Sequence, residues 1–134
     1  MKKGKIILLI ILLAVGYSCK STSNIVLGTY YLEGECNDML NEGKAYPDER
    51  MVTIKQGIKS QLQINIGEYV DFEAFESNDS LFVPLQWWTN FDGSQSSFQG
   101  KGKVENDSLF LHYSVGGSFG VLECECTGKK VTEK

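Results

Sequence analysis

From residue 25 onward, apolar and polar positions alternate along the chain. Val52 and Ile54, then Leu62, Ile64 and Ile66, then Phe72 and Ala74 are each separated by one polar or charged residue. That is the period of a strand with one buried face. Gly, Asn and Asp interrupt it at short intervals, as tight reversals require. A trace of helical spacing occurs only in Asn37–Ala45. The pattern predicts an all-β chain of eight sequential antiparallel strands. Ile25–Glu35 is the first, followed by Met51–Lys55, Gln61–Ile66 and Glu68–Phe75.

The heptapeptide at Asn78–Pro84, NDSLFVP, returns as NDSLFLH at Asn106–His112, 28 residues later. Asn and Asp tolerate the left-handed backbone of a two-residue hairpin. The repeat therefore marks the chain's return to one end of a meander. Hairpins at Asn78-Asp79, Asp92-Gly93, Asn106-Asp107 and Gly117-Ser118 set two inward rows. One is Ala74–Val83–Gly102–Leu111–Cys124; the other is Phe72–Leu85–Gly100–Tyr113–Leu122. Trp87 is set opposite Phe98. An even strand count lets the last strand pair with the first and close a barrel. Gly100 and Gly102 suit the bends that closure needs.

The segment Leu27–Gly34, LGTYYLEG, resembles the Gly-x-aromatic opening of lipocalin-like proteins, with Gly28 and Tyr30 in those places. The resemblance implies an eight-stranded antiparallel up-and-down (lipocalin-like) barrel over 25–130, with a hydrophobic or amphipathic small molecule as ligand. Turn alternation places the Asn-Asp hairpins at the end where the N-terminus enters. The long Cys36–Arg50 connection, with Met39 and Tyr46, forms a lid at the other end. Tyr69, Trp87, Trp88, Phe91, Phe98, Tyr113 and Phe119 are the candidate mouth and ligand residues. The competing reading fills the interior with the protein's own side chains. A second function class uses the outer wall, where Phe75, Phe82, Lys103 and Phe110 form an aromatic patch able to dock an envelope protein. Cross-strand aromatic pairs also stabilise sheets without any partner.

Residues 1–18 have a basic start, a short apolar run at Ile6–Val15 and GYSC at Gly16–Cys19. Ten apolar residues are too few for a span of roughly 20, so the segment reads as an export signal. It resembles a bacterial lipoprotein signal, which implies lipidation of Cys19, a tether over 19–24 and attachment to the cell-envelope membrane. Gly16 and Tyr17 depart from the usual pattern, and an ordinary secretory signal is the alternative. Removal takes Lys2, Lys3 and Lys5, moving the formal net charge from −4 to −7. An acidic surface argues against nucleic acid as a partner. The Asp-Ser-Leu triplets resemble a bacterial O-glycosylation acceptor, which implies Ser80 and Ser108 as glycan sites.

Cys36, Cys124 and Cys126 remain once Cys19 is set aside. An exported chain is expected to hold a disulfide, and Cys36–Cys124 is the favoured pair. Cys124 and Cys126 share a face too closely spaced for an unstrained bond. A Cys₃His metal site is not expected, because His112 falls on an outward row with Glu73, Pro84, Lys101 and Glu123. The same placement suits a surface imidazole better than a general base. With no nucleophile elbow or phosphate loop, the sequence points to a non-catalytic protein with no cofactor. A redox role for Cys124 and Cys126 is the third reading.

Overall fold

The computed structural model describes residues 27–57, 62–67, 71–118 and 120–132. Its strands are β1 (Gly28–Asp38), β2 (Ala45–Gln56), β3 (Leu62–Ile66), β4 (Asp71–Ser77), β5 (Ser80–Thr89), β6 (Gln95–Glu105), β7 (Ser108–Gly117) and β8 (Gly120–Lys130). Each pairs antiparallel with the next, and β8 returns to β1, so the sheet closes into an eight-stranded barrel. This is the architecture the alternation predicts. The predicted signal, the tether and Cys19 lie outside the described residues.

The Asn-Asp hairpins form as expected. Asn78 (φ 48°), Asp79 (φ 63°) and Asn106 (φ 56°) all adopt left-handed backbone. After the second hairpin, Gly102 pairs with Leu111 and Gly100 with Tyr113, as predicted. Two other registers differ. The β5–β6 reversal is not a two-residue turn at Asp92-Gly93 but a loop over 90–94. There the Asn90 N–H donates to the Ser94 carbonyl at 2.8 Å, and the Gly93 N–H donates to the Asn90 carbonyl at 3.0 Å. Val83 pairs with Gly100 and Gln86 with Phe98, leaving one extra residue on β5 between them. Pro84 explains the bulge, since it has no N–H to give a ladder.

The bulge reverses the faces beyond it. Leu85, predicted inward opposite Gly100, is exposed, and Trp87 is 64% exposed. Trp87 pairs with Ser97 rather than Phe98. At the β7–β8 reversal Gly117 pairs with Gly120, which sets Leu111 beside Cys126 and Tyr113 beside Cys124. That ladder is displaced by two residues, a step that keeps every side chain on its predicted face.

The long lid is also shorter than expected. β1 continues to Asp38 and β2 begins at Ala45, leaving only 39–44 as loop. Asp38 tightens it: its Oδ1 accepts from the N–H groups of Leu40 (2.9 Å) and Asn41 (3.2 Å), and its Oδ2 accepts from Asn41 Nδ2 at 2.7 Å. This local side-chain bonding is typical of Asp at reversals.

Inside the barrel, Tyr30, Leu32, Val52, Ile54, Ile64, Ile66 and Phe72 are among the buried residues. An aromatic column runs through the core. Trp88 meets Phe72 edge-on at 5.5 Å, Phe72 stacks on Phe98 at 4.3 Å, and Phe98 stacks on Tyr113 at 5.4 Å. Burying one such ring is worth roughly 1.5–3 kcal/mol, so this column is a main source of cohesion.

Closure between β8 and β1 depends on two glycines. A Cβ on Gly128 would lie 1.7 Å from the Tyr31 carbonyl oxygen, and one on Gly34 would lie 1.9 Å from that of Glu125. Across the same seam, Cys36 and Cys124 form a disulfide, as the cysteine arithmetic favoured.

Candidate functional site

Among the described residues, the expected mouth residues do not meet in one pocket. Phe98 and Tyr113 are buried within the aromatic column, and Trp88 caps it. Trp87 and Phe91 face outward, Phe91 fully exposed. Tyr69 and Phe119 lie outside the described residues.

Phe91 is nonetheless held by an ordered loop. Asn90 Oδ1 accepts from Trp88 Nε1 at 3.0 Å, while Asn90 Nδ2 donates to Ser94 Oγ and Ser96 Oγ. Asp92 Oδ1 accepts from the Ser94 N–H and Oγ, which holds the Asp92 carboxyl below its usual range.

The outer wall offers a concavity instead. A trough of about 730 Å³ crosses β5 to β8 and reaches β1, lined by Phe82, Lys101, Lys103, Phe110, His112 and Glu125 among others. The registers explain this grouping. Phe75 pairs with Phe82, Phe82 with Lys101, Lys101 with His112 and His112 with Glu125. One row below, Lys103 pairs with Phe110 and Phe110 with Thr127.

His112 is thus outward as predicted, but its row neighbour on β8 is Glu125, not Glu123. Gly34 and Gly102 also line the trough. A Cβ on Gly34 would lie 1.9 Å from the Glu125 carbonyl oxygen and one on Gly102 2.6 Å from that of Phe110, so neighbouring strands approach closely here. The sequence-predicted patch of Phe75, Phe82, Lys103 and Phe110 lies in and beside this dish. Leu85 and Trp87, turned outward by the bulge, extend the apolar surface up β5. Lysines border the trough on β6, while Glu125 and Glu33 border it on β8 and β1.

Ser80 opens β5 and is exposed, whereas Ser108 opens β7 and is partly buried. Both sit directly after an Asn-Asp turn.

A second cluster, absent from the sequence reading, lies inside. Asp48 is buried, with 7% of its surface exposed. Its Oδ1 accepts from Arg50 Nε at 2.7 Å. Its Oδ2 accepts from the Tyr113 hydroxyl and from Cys126 Sγ, the latter at 3.3 Å.

Gly34 makes the meeting possible. It stands between Asp48 on β2 and Cys126 on β8, and a Cβ there would lie 2.8 Å from Cys126 Sγ. Burial, reinforced by the Asp48 hydrogen bond, pushes the Cys126 thiol up to about 12. Burial and the same carboxylate also push the Tyr113 hydroxyl well above its usual value. Both groups therefore stay protonated and donate to Asp48. Alternating-residue reasoning had no signal for this cluster beyond two charged residues, Asp48 and Arg50, spaced by two ahead of Val52.

Comparison with known proteins yields no matching family model, curated protein or solved structure.

Proposed function

We propose that this is a non-catalytic cell-envelope lipoprotein, anchored through Cys19, whose lipocalin-like barrel docks a partner protein on its outer wall. The observation that carries this reading is the trough. Exposed Phe82 and Phe110, with the aliphatic stems of Lys101 and Lys103, surround a concavity of about 730 Å³, while the interior is occupied by the aromatic column. Contiguous exposed apolar surface rimmed by charge is the usual mark of an interaction site. Aromatic anchors dominate binding energy at such surfaces.

The occupant that fits is a protein segment with apolar side chains and charges of both signs. Its acidic groups would face Lys101 and Lys103, and its basic groups Glu33 and Glu125. The turn-rich end, where β1 starts and β8 ends, would face the membrane. The partner would then meet the barrel's flank rather than its far rim.

A small amphipathic ligand is the second reading, favoured by the trough's volume, which lies within the range of roughly 300–1,000 Å³ for small-molecule sites. An open trough covers less of a small molecule than the nearly complete burial such sites provide, so the protein partner is preferred.

The test is photo-crosslinking in the native envelope from a probe at position 112, comparing wild type with Phe82→Ser, Phe110→Ser. A discrete protein adduct lost in the double variant, with near-UV circular dichroism preserved, supports docking. An adduct unchanged by the double substitution refutes it, and adducts confined to lipid or small molecules favour the second reading.

A further inference from the structure

The interior cluster brings together more sulfur and carboxylate than a structural hydrogen-bond network needs. Cys36 Sγ, Cys124 Sγ and a carboxylate oxygen of Asp48 all lie within 4.8 Å of one another, and all three residues are buried. Cys126 Sγ donates to Oδ2 of the same Asp48 carboxylate at 3.3 Å. These four residues come from three strands that close the barrel: β1, β2 and β8.

We propose that reduction of the Cys36–Cys124 bond turns this cluster into a site for a zinc-type divalent ion, with Cys36, Cys124, Cys126 and Asp48 as its ligands. Three thiolates and one oxygen are a donor set suited to tetrahedral Zn²⁺. With metal–sulfur bonds of about 2.3 Å, neighbouring ligand atoms in such a tetrahedron sit roughly 3.5–4 Å apart. Cys36 Sγ, Cys124 Sγ and an Asp48 oxygen already lie within 4.8 Å of one another; after reduction the two sulfurs of the former bond must separate, and Cys126 Sγ must turn toward them from its contact with Asp48 Oδ2.

The surrounding groups fit the same role. Asp48 Oδ1 is fixed by Arg50, whose charge offsets part of the excess negative charge of the thiolates. The Tyr113 hydroxyl donates to Oδ2, orienting the carboxylate as groups around metal ligands commonly do. The Cys126 thiol proton now points at Oδ2.

The reaction balances as follows. A dithiol reductant passes two electrons and two protons to the Cys36–Cys124 bond and is itself oxidised to a disulfide. The metal then displaces the protons of Cys36, Cys124 and Cys126 to solvent. While the disulfide is intact, two of the four ligands are not thiolates and the site does not exist. The sequence suggested a Cys₃His set and set it aside because His112 points outward. The fourth ligand proposed is Asp48. The inference does not depend on the outer-wall docking reading.

The test uses the full chain in detergent, with Cd²⁺ as the spectroscopic probe and Zn²⁺ as competitor. Reduced wild-type protein is expected to develop thiolate-to-cadmium absorption that saturates at one ion per chain. Zn²⁺ should quench it, and the disulfide form should show none. Asp48→Asn keeps the size of the residue and is expected to weaken Cd²⁺ binding by about ten-fold or more. Cys36→Ser with Cys124→Ser should abolish the band.

The proposal is overturned by no band on reduction, by a band of equal strength in the double serine variant, or by Asp48→Asn binding as tightly as wild type. It is also overturned by a reduced chain that has lost the near-UV signature of its buried aromatics and does not regain it with metal. That last result would assign the sulfurs to an unfolded chain.

Discussion

Between β1 and β8 the ladder runs without a break from Tyr30↔Lys130 to Asp38↔Leu122. It is drawn tight by two glycines and crossed by a disulfide. Between β4 and β5 it runs only from Phe75↔Phe82 to Ser77↔Ser80. Above that point Pro84 cannot donate, and a side chain takes the ladder's place. Gln86 Oε1 accepts from the Glu73 N–H at 2.8 Å, and Gln86 Nε2 donates to the Glu73 carbonyl at 2.9 Å. One seam is built from backbone and covalent chemistry, the other from an amide imitating backbone. The continuous seam carries the interior cluster. The interrupted seam carries the outward-facing Leu85 and Trp87. Continuous pairing and apolar exposure are thus allotted to different seams of one sheet.

The largest effect is expected from the staple. Cys36 and Cys124 are 88 residues apart in sequence, and loop-closure entropy for a bridge of that length amounts to about 4–5 kcal/mol. Cys36→Ser with Cys124→Ser, in the absence of metal, should lower the unfolding free energy by about that much, read from the denaturant midpoint. A loss below about 1 kcal/mol would mean that the ladder and glycines hold this seam unaided.

Next comes Gly128→Ala. Its Cβ would meet backbone rather than a side chain able to swing away, so the strands must part. The expected loss is about 3 kcal/mol, at the upper end of ordinary overpacking, and differential scanning calorimetry would measure it.

The staple and the barrel were legible in the sequence, but the seams' differences were not. Alternation from Val52 to Ala74 and the two Asn-Asp turns carry face and direction, which local residue chemistry determines. Cysteine parity and adjacency of the first and last strands pointed to Cys36–Cys124. A regular β5 would keep Leu85 inward, but Pro84 interrupts it. A proline's missing N–H inserts a bulge, and every side chain beyond it changes face. Gly100 and Gly102 stood out because bulky partners flank them. Gly34 and Gly128 matter for a close approach between β8 and β1, which no local pattern reports. Tyr46, Pro47 and Asp48 fall within the expected Cys36–Arg50 connection, where no alternation marks a strand. Pairing with β1 makes them one.

Removing the Tyr113 hydroxyl should have an intermediate effect. Tyr113→Phe deletes a buried hydrogen bond to a carboxylate, a type of bond worth about 1.5–3 kcal/mol, while the ring keeps its place in the column. The pH dependence follows from the same cluster. Cys126 has an ordinary value of 9.0 and is raised to about 12 in the barrel, and Tyr113 is raised as well. The folded state holds protons that the unfolded chain would release. Stability is therefore full below about pH 9 and falls as pH rises toward 12. Unfolding free energy measured across that window should decline less steeply in Cys126→Ser. An equally steep decline would show that Cys126 does not contribute to the alkaline loss.

The smallest effects should come from the interrupted seam, where they discriminate most sharply. Gln86→Ala leaves the Glu73 backbone groups to water, because they are near the surface. The expected cost is about 1 kcal/mol, with faster hydrogen exchange at the Glu73 amide as the local signature. Phe82→Ser removes an exposed ring that the core does not use, and stability should change by no more than about 0.5 kcal/mol. If the outer wall docks a partner, this nearly silent change should still abolish the adduct formed from position 112. A large destabilisation by Phe82→Ser would instead mean that the Phe75–Phe82 pair holds the short ladder closed. The exposed rings would then be the seam's own reinforcement, and the two seams would differ in chemistry but not in purpose.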